Sequence, residues 1–191
     1  MEREIAITGV GGQGIQLGAQ VLARAATLED RHVLMFGIYG GAMRGGSTES
    51  TLVVGDEPIS APPIVSHVWS AVAMHHEYWE SVGSKLRPGG LVLVNSTLFE
   101  GRLDREAQRV IDVPATELAA GVGSPLSAAM VLIGAYAAVT GLVGFDSLIR
   151  AMEQSLPPYR KQHVQTNAKA LRAGFDAAPL GAVPAWPAAE S

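Results

Sequence analysis

The chain has 191 residues, 48% hydrophobic and 17% charged, a composition that fits one globular domain with a sizeable core and no bulk disorder. Its 14 basic and 18 acidic residues leave a net charge of -4 without a basic run, which argues against nucleic acid or an anionic membrane as the main partner. Cysteine is absent, so a disulfide framework, a cysteine nucleophile and an iron–sulfur cluster ligated by this chain are all excluded.

The start, MEREIAITG, is charged and then strand-like, which is not the pattern of a signal peptide. Residues 4–8 (EIAIT) alternate too little for a half-exposed strand and predict a central, buried one. After a glycine-rich turn, apolar residues at Ile15, Leu17, Val21, Leu22, Ala25 and Leu28 have helical spacing. Residues 32–37 (HVLMFG) read as a second buried strand, which makes the first forty residues a strand–loop–helix–strand unit with a right-handed crossover. A glycine-rich polar loop follows at 38–50 (IYGGAMRGGSTES), then a strand ending in a turn at Gly55-Asp56. Further strands are predicted at 67–74, 91–96 and 109–115. A short helix at 75–86 is expected to be ended by Arg87-Pro88-Gly89-Gly90.

The remainder predicts helices over about 124–140, 145–156 and 162–175, with a break at Pro157-Pro158. The apolar run at 128–145 (AAMVLIGAYAAVTGLVGF) is interrupted by glycines and a threonine and has no basic flank. It reads as a buried core helix rather than a membrane span, and the chain as soluble and cytoplasmic. Together these elements predict an α/β fold: a single three-layer Rossmann-like domain over residues 1–176, with a mainly parallel sheet and C-terminal helices. The Pro/Ala-rich tail, 177–191, holds too few core residues to fold alone and is expected to be loose or to lie on a partner chain.

The chemistry-bearing feature is Gly9-Val10-Gly11-Gly12-Gln13-Gly14, placed between strand and helix. Glycines let the backbone turn tightly and approach a ligand, and the free N–H groups of a helix start attract an anion. A purely structural tight turn is the competing reading. A dinucleotide site needs more: an Asp or Glu at the end of the second strand to hold the ribose. Here that strand ends LMFGIYGG; Glu29 and Asp30 precede it at the wrong end, and Gln13 puts a polar side chain inside the loop. NAD or FAD is therefore a minority reading.

Arg44, held between glycines, suits bidentate pairing with a phosphate or with a carboxylate across a subunit interface; bonding to nearby loop carbonyls is the alternative. Asn95 and Ser96 end a strand, where open α/β sheets place ligands, and equally suit a helix or turn cap. His75 and His76 adjoin Glu77 and Glu80, but adjacent helical residues point about 100° apart, so a shared metal is not expected. Trp69, Tyr78 and Trp79 read as core or interface aromatics, and Arg160, Lys161 and His163 as an exposed face with a phosphate contact as the alternative. No Ser–His–Asp spacing or G-x-S-x-G elbow occurs.

GVGGQGIQLGAQVLARAA at 9–26 and YGGAMRGGSTESTLVV at 39–54 resemble the gamma subunit, or gamma domain, of the 2-oxoacid:ferredoxin oxidoreductases (pyruvate, 2-oxoglutarate, 2-oxoisovalerate, indolepyruvate and phenylglyoxylate types). KLRPGGLVLVNS at 85–96, GSPLSAAMVLIGAYAAVTG at 123–141 and NAKALRAGF at 167–175 extend the resemblance over residues 4–176. It implies a subunit of a complex that oxidatively decarboxylates a 2-oxoacid with coenzyme A to acyl-CoA and carbon dioxide. Thiamine pyrophosphate, Mg and 4Fe–4S clusters would sit in partner alpha, beta and delta subunits, with ferredoxin or another acceptor taking the electrons. This chain would supply scaffold and coenzyme A contacts from Gly9, Gly11, Gly12, Gln13, Gly14, Tyr39, Arg44, Gly45, Gly46, Asn95 and Ser96, with no catalytic residue and no metal ligand. A stand-alone NAD- or flavin-binding oxidoreductase and a non-enzymatic nucleotide-binding assembly module are the alternatives. The stretch Ser124–Ala129 departs from the G-N-P-R-x-x-N-M pattern of many relatives, with Ser124, Leu126 and Ala129 replacing polar or basic groups.

Overall fold

The computed structural model describes residues 1–39, 45–60 and 65–187. A six-stranded sheet has the order β2-β3-β1-β4-β5-β6, with β1 Glu2–Val10, β2 His32–Tyr39, β3 Ser47–Gly55, β4 Val68–Ala73, β5 Leu86–Asn95 and β6 Arg109–Val113. β3 runs antiparallel to both of its neighbours, and the other five strands are parallel to one another.

Alternation along the strands divides two cores. Ile5, Ile7, Leu52, Val54, Leu91 and Leu93 point to one face, under α1 (Ile15–Leu28), α3 (Ala115–Gly121), α4 (Ala128–Thr140), α5 (Phe145–Ser155) and α6 (Val164–Ala177). Ala6, Ala71, Ala73 and Val92 point to the other, which α2 (Trp79–Gly83) covers with Trp79 and Val82, helped by Phe99 and Leu103. The result is three unequal layers, the helices of the C-terminal half gathered on one side. Every residue of α4 is buried, which is why its sequence is apolar all round. Among the described residues no helix is long and apolar enough to cross a membrane.

α4 and α6 touch backbone to backbone. A methyl group on Gly134 would overlap the Leu171 carbonyl, and one on Gly174 the Val131 carbonyl. Ser127 and Asn167, near the starts of the two helices, share a hydrogen bond of 2.9 Å.

Three expectations differ from what is observed. The segment Arg87-Pro88-Gly89-Gly90 is not a helix stop but part of β5; the ladder slips between Val68 and Ser70, and Gly89, at φ 72°, forms the irregularity, its N–H bonded to the Ala107 carbonyl at 2.8 Å. The strand ending at Val113 is followed by a short helix, α3, that the sequence reading did not contain. The tail docks on its own chain as far as residue 187. The N–H groups of Gly181, Val183 and Ala185 bond the carbonyls of Ala138, Val139 and Thr140, which α4 leaves unpaired at its C-terminal end. Ala185 is fully buried, Trp186 Nε1 donates to the Leu142 carbonyl at 3.0 Å, and Arg31 lies 4.2 Å over the indole.

Candidate functional site

The glycine loop joins β1 to α1 at the C-terminal edge of the sheet. Gly14 occupies the N-cap of α1 at φ 81°, and Gly12 has φ 98°, both in the region that favours glycine. Gln13 braces the turn from inside: its N–H donates to the Val10 carbonyl (3.1 Å), and its Oε1 accepts the Val10 N–H (2.8 Å). The missing side chain of Gly9 makes room for this brace, since a Cβ there would sit 2.6 Å from Gln13 Oε1 and 2.9 Å from Ile15 Cδ1 and Met74 Cβ. Gln13 thus shapes the loop.

Gly11 donates its N–H to the Gly46 carbonyl at 2.8 Å, and a Cβ on Gly11 would lie 3.3 Å from that oxygen. The start of β3 therefore closes against the glycine loop. Gly45 turns at φ 89°, and Tyr78, after β4, donates its hydroxyl to the Gly45 carbonyl at 3.3 Å. Desolvation and the neighbouring Glu77 carboxylate raise the Tyr78 phenol. Thr48, on β3, borders the same contact. On the third side stands α4, with Ala129 Cβ 3.5 Å from the Cβ position of Gly14, and Ile133 packed on Gly18.

What remains is a set of donors without partners. The first intrahelical bond of α1 runs from the Gly18 N–H to the Gly14 carbonyl. The N–H groups of Gly12, Gly14, Ile15, Gln16 and Leu17 meet no acceptor among the described residues, no side chain caps the helix, and its first turn holds no acid. Among the described residues, a Cβ on Gly12 would meet nothing within 4 Å, so the loop is open at that point. Nothing but backbone is needed for such a pocket to hold an anion the size of a phosphate.

The loop 9–14 and Gly45-Gly46 come together as one unit. Arg44 lies outside the described residues, as do Gly40–Met43, and the side chain of Tyr39, at the end of β2, is not described. Asn95 is fully buried at the end of β5. It accepts the Thr116 N–H at 3.3 Å and donates to Thr116 Oγ1 at 2.9 Å, which caps the start of α3. Ser96 lines a small cavity of about 170 Å³ with Phe99, Gly101, Leu103, Arg105 and Asp112, in a group apart from the glycine loop. His75 and His76 stack at 4.4 Å and accept the N–H groups of Glu77 and Glu100. Among the described residues no three His, Asp or Glu side chains converge on a point that could hold a metal ion.

The sequence reading passed over Tyr78 and Thr48 as parts of this site, while Ala129 belongs to the divergent stretch it had singled out. Tyr78 had one usable signal, its place just beyond the C-terminal end of a parallel strand. Near Ala129, Ser127 Oγ lies 3.0 Å from Ser124 Oγ, and Leu126 is 85% exposed, so the divergent stretch presents one apolar side chain to solvent.

The sequence pattern described as pyruvate ferredoxin/flavodoxin oxidoreductase matches residues 4–177. The 2-oxoglutarate synthase subunit KorC of Methanocaldococcus jannaschii is 30% identical over 181 residues, covering 93% of this chain and 95% of that protein. The crystal structure of a keto/oxoacid ferredoxin oxidoreductase gamma subunit from Geobacter sulfurreducens superposes with a TM-score of 0.77 at 28% identity, over 92% of this chain and 98% of that one. The fold also recurs, with a TM-score of 0.82 at 19% identity, in a 2-oxoglutarate:ferredoxin oxidoreductase from Magnetococcus marinus solved with 2-oxoglutarate, coenzyme A and succinyl-CoA; it spans 93% of this chain and 31% of that one.

Proposed function

This chain belongs to the pyruvate ferredoxin/flavodoxin oxidoreductase family, and from that premise we propose that it is the gamma subunit of a 2-oxoacid:acceptor oxidoreductase and holds coenzyme A on its glycine loop. The observation that carries the coenzyme A assignment is the set of open amides at an uncapped helix start, those of Gly12, Gly14, Ile15, Gln16 and Leu17. Coenzyme A brings a pyrophosphate, which matches several converging N–H donors better than a neutral ligand does. The M. marinus relative, solved with coenzyme A, supports the same reading.

In this account Gly12 and Gly14 admit the pyrophosphate, while Gly9, Gly11 and Gln13 hold the loop in shape and Gly45-Gly46 brace it. Arg44 and Tyr39 are proposed to complete the cradle from the neighbouring loop. Asn95 acts through the cap of α3, and Ser96 has the weakest geometric case for ligand contact. The thiamine pyrophosphate, Mg and 4Fe–4S clusters of such a complex belong to alpha, beta and delta subunits, in keeping with a chain that has no cysteine. Carbon–carbon cleavage and electron transfer to ferredoxin occur there, and this chain orients the acyl acceptor. The end of β2 offers no carboxylate for an adenosine ribose, which disfavours NAD.

Co-expression with a thiamine-binding chain and a two-cluster ferredoxin-like chain tests the assignment. The complete set is expected to reduce an electron acceptor when given a 2-oxoacid and coenzyme A, and omission of this chain is expected to abolish the coenzyme A dependence. Equal activity without this chain would refute it.

A further inference from the structure

Thr48 sits where β3 meets the glycine loop. It lies directly opposite Gly9 in the β1–β3 ladder, so the two positions share a face of the sheet. A Cβ on Gly9 would lie 2.9 Å from Ile15 Cδ1, at the start of α1, which identifies that face as the α1 side. Ser50, Leu52 and Val54 follow Thr48 on it at the strand period of two, and Leu52 and Val54 belong to the core under α1. The row therefore begins with two hydroxyls before it turns apolar.

Three polar groups beside this row are engaged within the chain. The Gly11 N–H goes to the Gly46 carbonyl at 2.8 Å, Gln13 Oε1 accepts the Val10 N–H at 2.8 Å, and Gln16 Nε2 donates to the Glu49 carbonyl at 3.3 Å. Thr48 Oγ1 has no hydrogen-bond partner among the described residues, although Thr48 is only 9% exposed. Ser50 Oγ has none either and is sealed from solvent. Thr48 Oγ1 is not sealed, and it stands 3.6 Å from the Cβ position of Gly11, facing the loop. A buried hydroxyl without a partner is costly, and valine would fill the same space with a higher strand propensity. Packing alone gives the hydroxyl no purpose.

Distance decides what it can reach. Gly12 N is three bonds from the Gly11 Cβ position, which puts the Thr48 hydroxyl within about 7 Å of that open amide. A phosphate accepting one hydrogen bond through each of two oxygens spans up to about 8 Å between its donors. β3 is paired on both sides, and the branched Cβ of threonine leaves few rotamers, so the donor is held in place before a ligand arrives.

We propose that Thr48 is a ligand-binding residue of this site, its Oγ1–H donating to the same phosphate group that the Gly12 amide holds. The role rests on the glycine loop holding a diphosphate ester, as proposed for coenzyme A, and adds a side-chain donor on a rigid strand to a site otherwise made of backbone.

Calorimetric titration of the full chain with coenzyme A and with inorganic pyrophosphate, beside urea unfolding, tests it. Thr48→Val keeps the shape and removes the donor. It is expected to weaken both ligands about tenfold or more, while the urea midpoint stays at the wild-type value or rises. Thr48→Ser restores the hydroxyl and is expected within about threefold of wild type. Ser50→Ala, two residues along the same face, removes a hydroxyl that no ligand reaches and should leave both affinities unchanged. A Thr48→Val protein that binds as wild type does overturns the proposal alone. So does an affinity loss matched by Ser50→Ala, or one accompanied by a lower urea midpoint, since either marks a deformed loop. Wild type that binds neither probe overturns the diphosphate reading itself, and the role of Thr48 with it.

Discussion

Replacing Gly12 with alanine separates the ligand-binding role of the loop from its structural role. A Cβ at Gly12 meets nothing within 4 Å among the described residues, so the substitution creates no clash with them. Its cost is backbone strain at φ 98°, about 1–2 kcal/mol. For a domain of this size that lowers the melting temperature by roughly 2–8 °C. The new methyl stands in the open space beside Gly12, where the pyrophosphate is proposed to lie. Losing one charge-assisted hydrogen bond costs about 1.5–3 kcal/mol, or more than tenfold in affinity. Gly9→Ala makes the contrast: its methyl would press on Gln13 Oε1, Ile15 and Met74, so overpacking of about 1–3 kcal/mol dominates and affinity falls only as the loop deforms. Urea unfolding and calorimetric titration with coenzyme A measure the two effects separately. A Gly12→Ala protein that loses stability as expected but binds coenzyme A within about twofold of wild type would refute the placement of the ligand.

Gly174→Ala should be among the most destabilising single changes, about 3 kcal/mol or more by urea unfolding, because its methyl meets the Val131 backbone and α4 and α6 must move apart; Gly121→Ala, with nothing within 4 Å, serves as a near-neutral control. Trp186→Ala removes the bond to the Leu142 carbonyl and the stack with Arg31, and should lower stability by about 3 kcal/mol and make the tail sensitive to limited proteolysis. Two bonds from Arg105, both 2.8 Å, hold the Asp112 carboxyl below its ordinary range. A carboxyl lowered in the folded state adds stability above its unfolded value, and that stability disappears as pH falls through the folded one. Arg105→Ala should therefore destabilise slightly at pH 7 and not at all near pH 2, the effect being small because the pair is solvent-exposed.

The β1–loop–α1 unit was readable in the sequence because glycine spacing and apolar periodicity are local signals. The departures all depend on distant partners. Pro88-Gly89-Gly90 looks like a helix stop, and only the Ala107 carbonyl and the slip against β4 make it an irregular strand. For Asn95 the sequence offered both a ligand group and a cap, and the helix it caps, α3, has seven residues behind a proline and gives no periodic signal. The tail has few apolar residues, and what docks it is the need of α4's last carbonyls for donors, a demand set by the buried end of another element. Glycine is locally unfavourable in a helix interior, and what Gly134 and Gly174 provide is the backbone contact between α4 and α6. At the site itself the local pattern indicated an anion, and the paired motifs at 9–26 and 39–54, rather than any single side chain, directed the reading to coenzyme A.

The central claim is that this glycine loop holds the pyrophosphate of coenzyme A. Its most direct test is a thermal-shift and calorimetric titration of the purified chain with coenzyme A, with NAD and flavin adenine dinucleotide in parallel. The account predicts stabilisation by coenzyme A that Gly12→Ala removes, with no comparable shift from the two dinucleotides. Stabilisation by NAD or flavin, with none by coenzyme A, would contradict it.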